Sequence, residues 1–339
     1  MSSTTGASSA AGAATDRLTL VEAVCEGLHE EMARDEGVIV LGEDVGENGG
    51  VFRATDGLHE EFGADRVVDT PLAESGIVGS AIGLALSGMR PVAEMQFTGF
   101  MFPGFDQLVS HAARLRSRTH GRHSVPLVVR APYGGGIRAP EHHSESKEAF
   151  FVHEPGLKVV VPSTPADAKG LLAASIRSPD PVVFFEPKLI YRSFRGEVPV
   201  GDHEVPLGEA AVRRAGTDVS VYTWGAMTRP ALAAADHLAE DGIDVEVVDL
   251  RTLSPLDVET VAASFRKTGR GVVVHEAPKT GGVGAEVVAT LQEEALLHQE
   301  APVRRVAGFD APMPLHALED YYLPQAARIE EAVRETVGF

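Results

Sequence analysis

The sequence predicts an α/β protein of two parallel-sheet domains, and three observations carry that expectation. Short apolar, β-rich runs alternate with amphipathic stretches of helical length, the pattern of strand–helix–strand units around a parallel sheet. The alternation breaks over residues 191–216, where Gly, Pro and charge replace any long apolar segment, and then resumes. The chain has 339 residues, 44% of them hydrophobic, enough for two cores of ordinary size. The expected organisation is a disordered tail at 1–16, a first domain at 17–195, a linker at 196–215 and a second domain at 216–339.

The first helix opens at a capping box, Thr19 with Glu22, ahead of the apolar positions Val21, Val24, Cys25 and Leu28. Cys25 thereby reads as a core residue, and a lone cysteine fits a reducing cytoplasm. Six runs then read as strands: Val38–Leu41, Val67–Asp69, Pro91–Phe97, Pro126–Arg130, Lys158–Val161 and Pro181–Phe185. Glu74 opens the helix between the second and third of these, and that helix carries Gly76, Gly79, Gly83 and Gly88. An interior glycine costs about 1 kcal/mol relative to alanine, so the segment needs a side-chain-free surface, as close approach of another backbone would require. Two uses of Glu74 remain open here: complementing the helix dipole, or acting on a ligand. Beyond the linker, strands at Val219–Thr223, Val245–Asp249 and Gly271–His275 accompany helices at Arg229–Glu240, Asp257–Lys267 and Gly284–Leu297.

A net charge of −19 argues against a nucleic-acid partner, whose phosphates such a surface repels. Scarce lysine beside plentiful arginine and acid suits a salt-rich cytoplasm. No apolar run approaches the ~18 residues that span a bilayer, and residues 1–16 have neither the basic start nor the apolar stretch of a targeting segment.

The usual phosphate-binding and hydrolase motifs are missing: no Gly-x-Gly-x-x-Gly follows a strand, and neither Gly-x-x-x-x-Gly-Lys-Ser/Thr nor Gly-x-Ser-x-Gly occurs. Two histidines, His142 and His143, follow the flexible run Tyr133-Gly-Gly-Gly. They read either as a solvated loop or as a mobile loop that delivers a general acid near neutral pH. With His120 and His123 upstream they could form a zinc site, but no ordered ligand frame accompanies them.

Several blocks make the chain recognisable: Leu41-Gly-Glu-Asp-Val-Gly, Asp69-Thr-Pro-Leu-Ala-Glu, Glu94-Met-Gln-Phe, Pro155-Gly-Leu-Lys, Asp249-Leu-Arg-Thr-Leu-Ser-Pro and Ala301-Pro-Val-Arg-Arg-Val. From about Leu18 to Phe339 it resembles the β subunit of the thiamine-diphosphate-dependent decarboxylating component of 2-oxo acid dehydrogenase complexes. The resemblance implies a transketolase-like pyrimidine-binding domain followed by a transketolase-like C-terminal domain. It further implies that the Glu74 carboxyl contacts a ring nitrogen of the cofactor's aminopyrimidine and promotes its imino tautomer, with Leu72, Gln96 and Phe100 lining the pocket. Phe100 stands where some relatives carry Tyr. His143, not His142, matches the active-site loop histidine assigned to proton handling and lipoyl acylation.

Thiamine enzymes usually hold the diphosphate and Mg²⁺ with Gly-Asp-Gly followed by paired asparagines, whereas this chain has no Gly-Asp-Gly and a single asparagine, Asn48. The resemblance supplies the missing half as an α subunit in an α₂β₂ heterotetramer, with the glycine-rich helix a subunit contact. It also implies docking of the acyltransferase core, through its peripheral binding domain, to the C-terminal domain. A potassium site would involve Leu127, Ser175, Ile176, Ser178 and Asp180, with Ser178 replacing an Asp of some relatives. His275-Glu-Ala-Pro-Lys and Phe184-Phe-Glu-Pro-Lys lean toward branched-chain substrates, while Gly134-Gly-Gly and Tyr191-Arg-Ser-Phe-Arg are shared with pyruvate members. The alternatives are a non-catalytic scaffold subunit and a homodimeric transketolase-like enzyme, the latter opposed by the missing diphosphate motif.

Overall fold

Two sheets organise the protein, whose computed structural model describes residues 14–339. The strands are β1 (Thr15–Leu18), β2 (Val38–Gly42), β3 (Val67–Asp69), β4 (Arg90–Glu94), β5 (Val128–Tyr133), β6 (Lys158–Val160), β7 (Val182–Pro187), β8 (Gly196–Pro199), β9 (Ala211–Arg214), β10 (Val219–Thr223), β11 (Val245–Asp249), β12 (Thr252–Ser254), β13 (Gly271–Pro278) and β14 (Arg304–Gly308). The α-helices are α1 (Leu20–Arg34), α2 (Leu58–Phe62), α3 (Glu74–Leu86), α4 (Phe102–Asp106), α5 (Ala113–Arg118), α6 (Glu148–Val152), α7 (Pro165–Arg177), α8 (Thr228–Glu240), α9 (Val258–Thr268), α10 (Val283–Ala295), α11 (Glu319–Tyr322) and α12 (Ala326–Val337).

The first sheet runs β12-β6-β7-β5-β4-β2-β3 and the second β14-β13-β10-β11-β9. All pairs are parallel except the additions β12 on β6 and β9 on β11. Every residue of β2, β5, β7, β10 and β11 is buried, which is why stretches such as Val38–Leu41 and Val182–Phe185 read as continuously apolar. The capping box forms as expected: the Glu22 amide donates to Thr19 Oγ1 at 3.4 Å, and the Thr19 amide to Glu22 Oε2 at 2.8 Å.

Four expectations change. Residues 1–13 of the expected tail lie outside the described residues, but Thr15–Leu18 is a strand paired antiparallel with β8. The stretch expected as a linker thus carries β8, and also β9, which edges the second sheet. Cys25 is half-buried at the rim of the core; its thiol donates to the Asp56 carbonyl at 3.4 Å, and burial pushes its pKa up to about 11. Gly88 lies past the end of α3 with φ +96°, so it terminates the helix and does not belong to its packing face.

The domains are joined by charge as well as by β12. Arg213 of β9 pairs with Asp249 at 2.9 Å and also with Asp167 near the start of α7, while Arg251 reaches Asp167 at 3.1 Å. Burial pushes the Asp249 carboxyl up to about 6 against the pull of Arg213. The Asp249-Leu-Arg block therefore acts as an interdomain clamp.

Candidate active site

Parallel sheets present their loops at the carboxyl ends of the strands, the usual location of ligands in α/β proteins. Four adjacent strands, ordered β5-β4-β2-β3, end on the same edge of the first sheet. Glu43 and Asp44 follow β2; Leu72 and Glu74 follow β3; Gln96 and Phe100 follow β4; the loop bearing His143 follows β5. Residues far apart in sequence thus converge because the sheet order brings their loops together.

Glu74 is the first residue of α3 and is half-buried. Its charge bears on Glu43, whose carboxyl is raised by burial first and then by the negative charges of Glu74 and Asp44. Gln96 Nε2 donates to Asp44 Oδ2 at 3.1 Å, fixing the amide on the Glu43–Asp44 side. The loop after β2 is shaped by Asp69, which accepts the Gly46 amide at 2.6 Å. A Cβ on Gly46 would lie 2.6 Å from an Asp69 carboxylate oxygen. Leu72 is 78% exposed, so on this chain alone it forms an open rim.

His143 stands in an aromatic cluster. Its ring is 4.5 Å from Phe97 and 5.2 Å from Phe100, centroid to centroid, with both contacts edge-on. Its Nδ1 is buried without a hydrogen-bond partner among the described residues. His142 is exposed and tilts over Phe100 at 5.0 Å. The loop reaches this position because residue 99 has no side chain: a Cβ there would strike the His142 carbonyl and lie 2.9 Å from Glu145 Oε2. Gly99→Ala is therefore expected to destabilise the chain by about 1–3 kcal/mol, read as a lower urea midpoint; an unchanged midpoint would remove the steric account of Gly99.

The glycines of α3 divide. Within this chain, α3 meets Gly104 of α4, where a Cβ would lie 2.9 Å from Val78 Cγ2 and 3.1 Å from the Glu74 carbonyl. Gly76 and Gly83 are exposed; a Cβ on Gly83 would meet nothing within 4 Å, and one on Gly76 only the neighbouring Ala73. The side-chain-free face of α3 is accordingly presented outward.

The five carbonyl-rich positions, Leu127, Ser175, Ile176, Ser178 and Asp180, sit at the opposite, amino edge of the sheet, around the end of α7 and the starts of β5 and β7. Leu127 O accepts the Val182 amide at 2.9 Å, and Ile176 O accepts Arg90 Nη1 at 3.1 Å. Ser178 Oγ donates to Asp180 O at 3.0 Å and accepts from Lys158 Nζ at 3.0 Å.

Sequence reasoning singled out Glu74, Leu72, Gln96, Phe100 and His143; it missed Glu43, Asp44 and Phe97 as their partners, and Asp69 as the residue that shapes the loop after β2. The Leu41-Gly-Glu-Asp block contains two of these, but only the β2–β3 register, Gly42 opposite Asp69, shows that this block faces Glu74.

The fold and the converging loops define a two-domain transketolase-like chain, and family comparison agrees. Residues 16–193 match the transketolase pyrimidine binding domain, and residues 208–329 match the transketolase C-terminal domain. The chain is 52% identical over 323 residues to the pyruvate dehydrogenase E1 component subunit beta of Bacillus subtilis, covering 95% of this chain and 99% of that one. It is 51% identical to the subunit of the same name from Acholeplasma laidlawii, covering 94% and 97%. Among solved structures, a chain described as split gene transketolase, inactive beta4 tetramer, superposes with a TM-score of 0.79 at 26% identity, covering 95% and 99%. The chain belongs to the transketolase-like family of 2-oxo acid dehydrogenase E1 β subunits. No helix among the described residues is long and apolar enough to cross a membrane.

Proposed function

We propose that this chain is the pyrimidine-binding half of a split active site that oxidatively decarboxylates a 2-oxo acid and passes the acyl group to lipoamide. One observation carries the reading: Glu74, Gln96, Phe100 and His143 converge beyond the carboxyl ends of β3, β4 and β5, while the sequence has no Gly-Asp-Gly segment for a diphosphate and its metal. The residues present suit thiamine diphosphate. Glu74 beside the raised Glu43 is a carboxylate pair able to hold a proton against a ring nitrogen, and Phe97 and Phe100 provide an apolar wall. When bound, the cofactor supplies the electron sink that lets the carboxylate leave.

Glu74 would orient the aminopyrimidine and hold its proton, and Gln96, fixed by Asp44, would bound the ring edge. Leu72, exposed here, would be covered by the cofactor or the partner. His143, with Nδ1 unpartnered, would donate or accept the proton needed as acyl leaves for lipoamide. His143→Ala is expected to lower lipoamide acylation roughly a hundredfold and to spare CO₂ release into an artificial electron acceptor; equal acylation by the variant and the parent would defeat this role.

The diphosphate and Mg²⁺ would be held by an α subunit in an α₂β₂ heterotetramer, whose contact the outward glycine face of α3 fits. The C-terminal domain would dock the acyltransferase core through its peripheral binding domain. A β-only assembly is expected to be inactive, as the split transketolase β₄ tetramer is described. The missing Gly-Asp-Gly segment speaks against the homodimeric reading; the gathered Glu74, Gln96 and His143 speak against a scaffold. The relatives' names favour pyruvate, against the branched-chain lean of the sequence blocks; turnover of pyruvate and 2-oxoisovalerate by the assembled enzyme decides between them. A cytoplasmic setting suits the single, half-buried cysteine.

Potassium is proposed at the amino-edge carbonyls, since each carbonyl already engaged keeps a second lone pair. Replacing sodium by potassium at equal ionic strength is expected to raise Tm; identical melting in both salts would dismiss the site.

A further inference from the structure

Behind the His143 loop lies a buried charged cluster that the reaction above does not use. Glu276 lies in the second half of β13 and Glu319 opens α11, both in the C-terminal domain, and both are at most 2% exposed. The Gly135 amide donates to Glu276 Oε2 at 3.1 Å, and the Gly136 amide donates to Glu319 Oε1. Two successive backbone amides of the loop that begins at the end of β5 are thereby held by carboxylates of the other domain. Arg138 adds an exposed ion pair to Asp320 at 3.0 Å, and the Gly134 amide closes the loop on the Glu145 carbonyl at 2.9 Å.

The glycines are what admit the two carboxylates. Gly134 and Gly136 have φ +81° and +96°, and a Cβ on Gly135 would lie 2.8 Å from Met313 Cε and 3.1 Å from Glu319 Oε1. Lys188 faces the same cluster; its Nζ is buried without a hydrogen-bond partner among the described residues and sits 5.7 Å from the centre of the Phe97 ring. Phe97 in turn touches the His143 ring. Glu148 and the neutral phenols of Tyr133 and Tyr322 complete the titratable surroundings of Glu276. Burial raises Glu276 to about 7 and lowers Lys188 to about 7.

We propose that Glu276 and Glu319 are positioning residues: as a two-point clamp from the C-terminal domain on the Gly135 and Gly136 amides, they set where the loop presents His143. The proposal rests on His143 acting in the site, and its test is chosen to separate the two. Hydrogen exchange of the full chain is followed in peptides covering residues 133–146. Glu276→Ala and Glu319→Ala are each expected to speed exchange there about tenfold or more, while β10 and β11 keep their protection. Glu276→Gln and Glu319→Gln retain an acceptor of the same length and are expected to restore protection. Should an alanine variant not fold, Glu319→Asp, which withdraws the carboxylate by one methylene, reads the same contact and is expected to speed loop exchange. Loop exchange that is unchanged, or that rises equally in β10 and β11, overturns the clamp. A selective rise combined with normal acylation by His143→Ala upholds the clamp and removes the role of His143.

Discussion

Glu74→Gln, assembled with its diphosphate-binding partner and saturated with cofactor, is expected to release CO₂ roughly a hundred- to ten-thousand-fold more slowly than the parent, the range that positioned proton transfer contributes. Glutamine has nearly the same shape, so the loop after β3 and the start of α3 should be unchanged. What it lacks is a site for the proton that a carboxyl exchanges with a ring nitrogen. Glu43 cannot substitute, because it stems from β2 and is itself raised by burial and by the charge of Glu74. Removing that charge should bring Glu43 down toward its ordinary range. Single-turnover decarboxylation separates this from a binding defect; an undiminished rate would leave Glu74 with the dipole role alone.

Arg130→Met is expected to cost about 3–5 kcal/mol of stability, the range for breaking a buried ion pair. Arg130 is fully buried in β5, with Nε 2.6 Å from Glu186 Oε1, Nη2 2.7 Å from Glu186 Oε2 and Nη1 paired with Glu94. Its pKa is driven upward by the two carboxylates against burial, and a guanidinium stays charged in any case. Glu94 sits above its ordinary value because burial outweighs the pull of Arg130. In the variant Glu94 would lose its cationic partner while staying buried, with a folded-state pKa above its unfolded one. Folding would then take up protons, so the deficit should be largest near pH 7 and shrink as pH falls toward the ordinary Glu range near 4.5. Denaturant unfolding at both pH values measures it; a deficit under about 1 kcal/mol at pH 7, as for an exposed pair, would contradict the buried-network account.

The buried parallel strands were the most legible part of the sequence, because burial on both faces leaves unbroken apolar runs such as Val38–Leu41 and Val182–Phe185. The edge and bridging strands were not. β1, β8, β9 and β12 are only three or four residues long, the first three lie mostly outside the core, and what makes each a strand is its partner across the fold. At the candidate site, the helix start at Glu74 and the Gly-rich approach to His143 showed locally. The company these residues keep did not: Glu43 meets Glu74 through sheet order, and Phe97 meets His143 through the packing of Gly99 on the loop. Glu276 and Glu319 were the least visible, since their contacts to the loop span 141 and 183 residues of sequence.

The central claim, a split active site, is tested most directly by CO₂ release from pyruvate and from 2-oxoisovalerate. The comparison is between this chain alone and the same chain with an α subunit bearing the Gly-Asp-Gly segment, each with and without thiamine diphosphate and Mg²⁺. The account predicts cofactor-dependent release only from the mixture. Release by this chain alone at a comparable rate would contradict it.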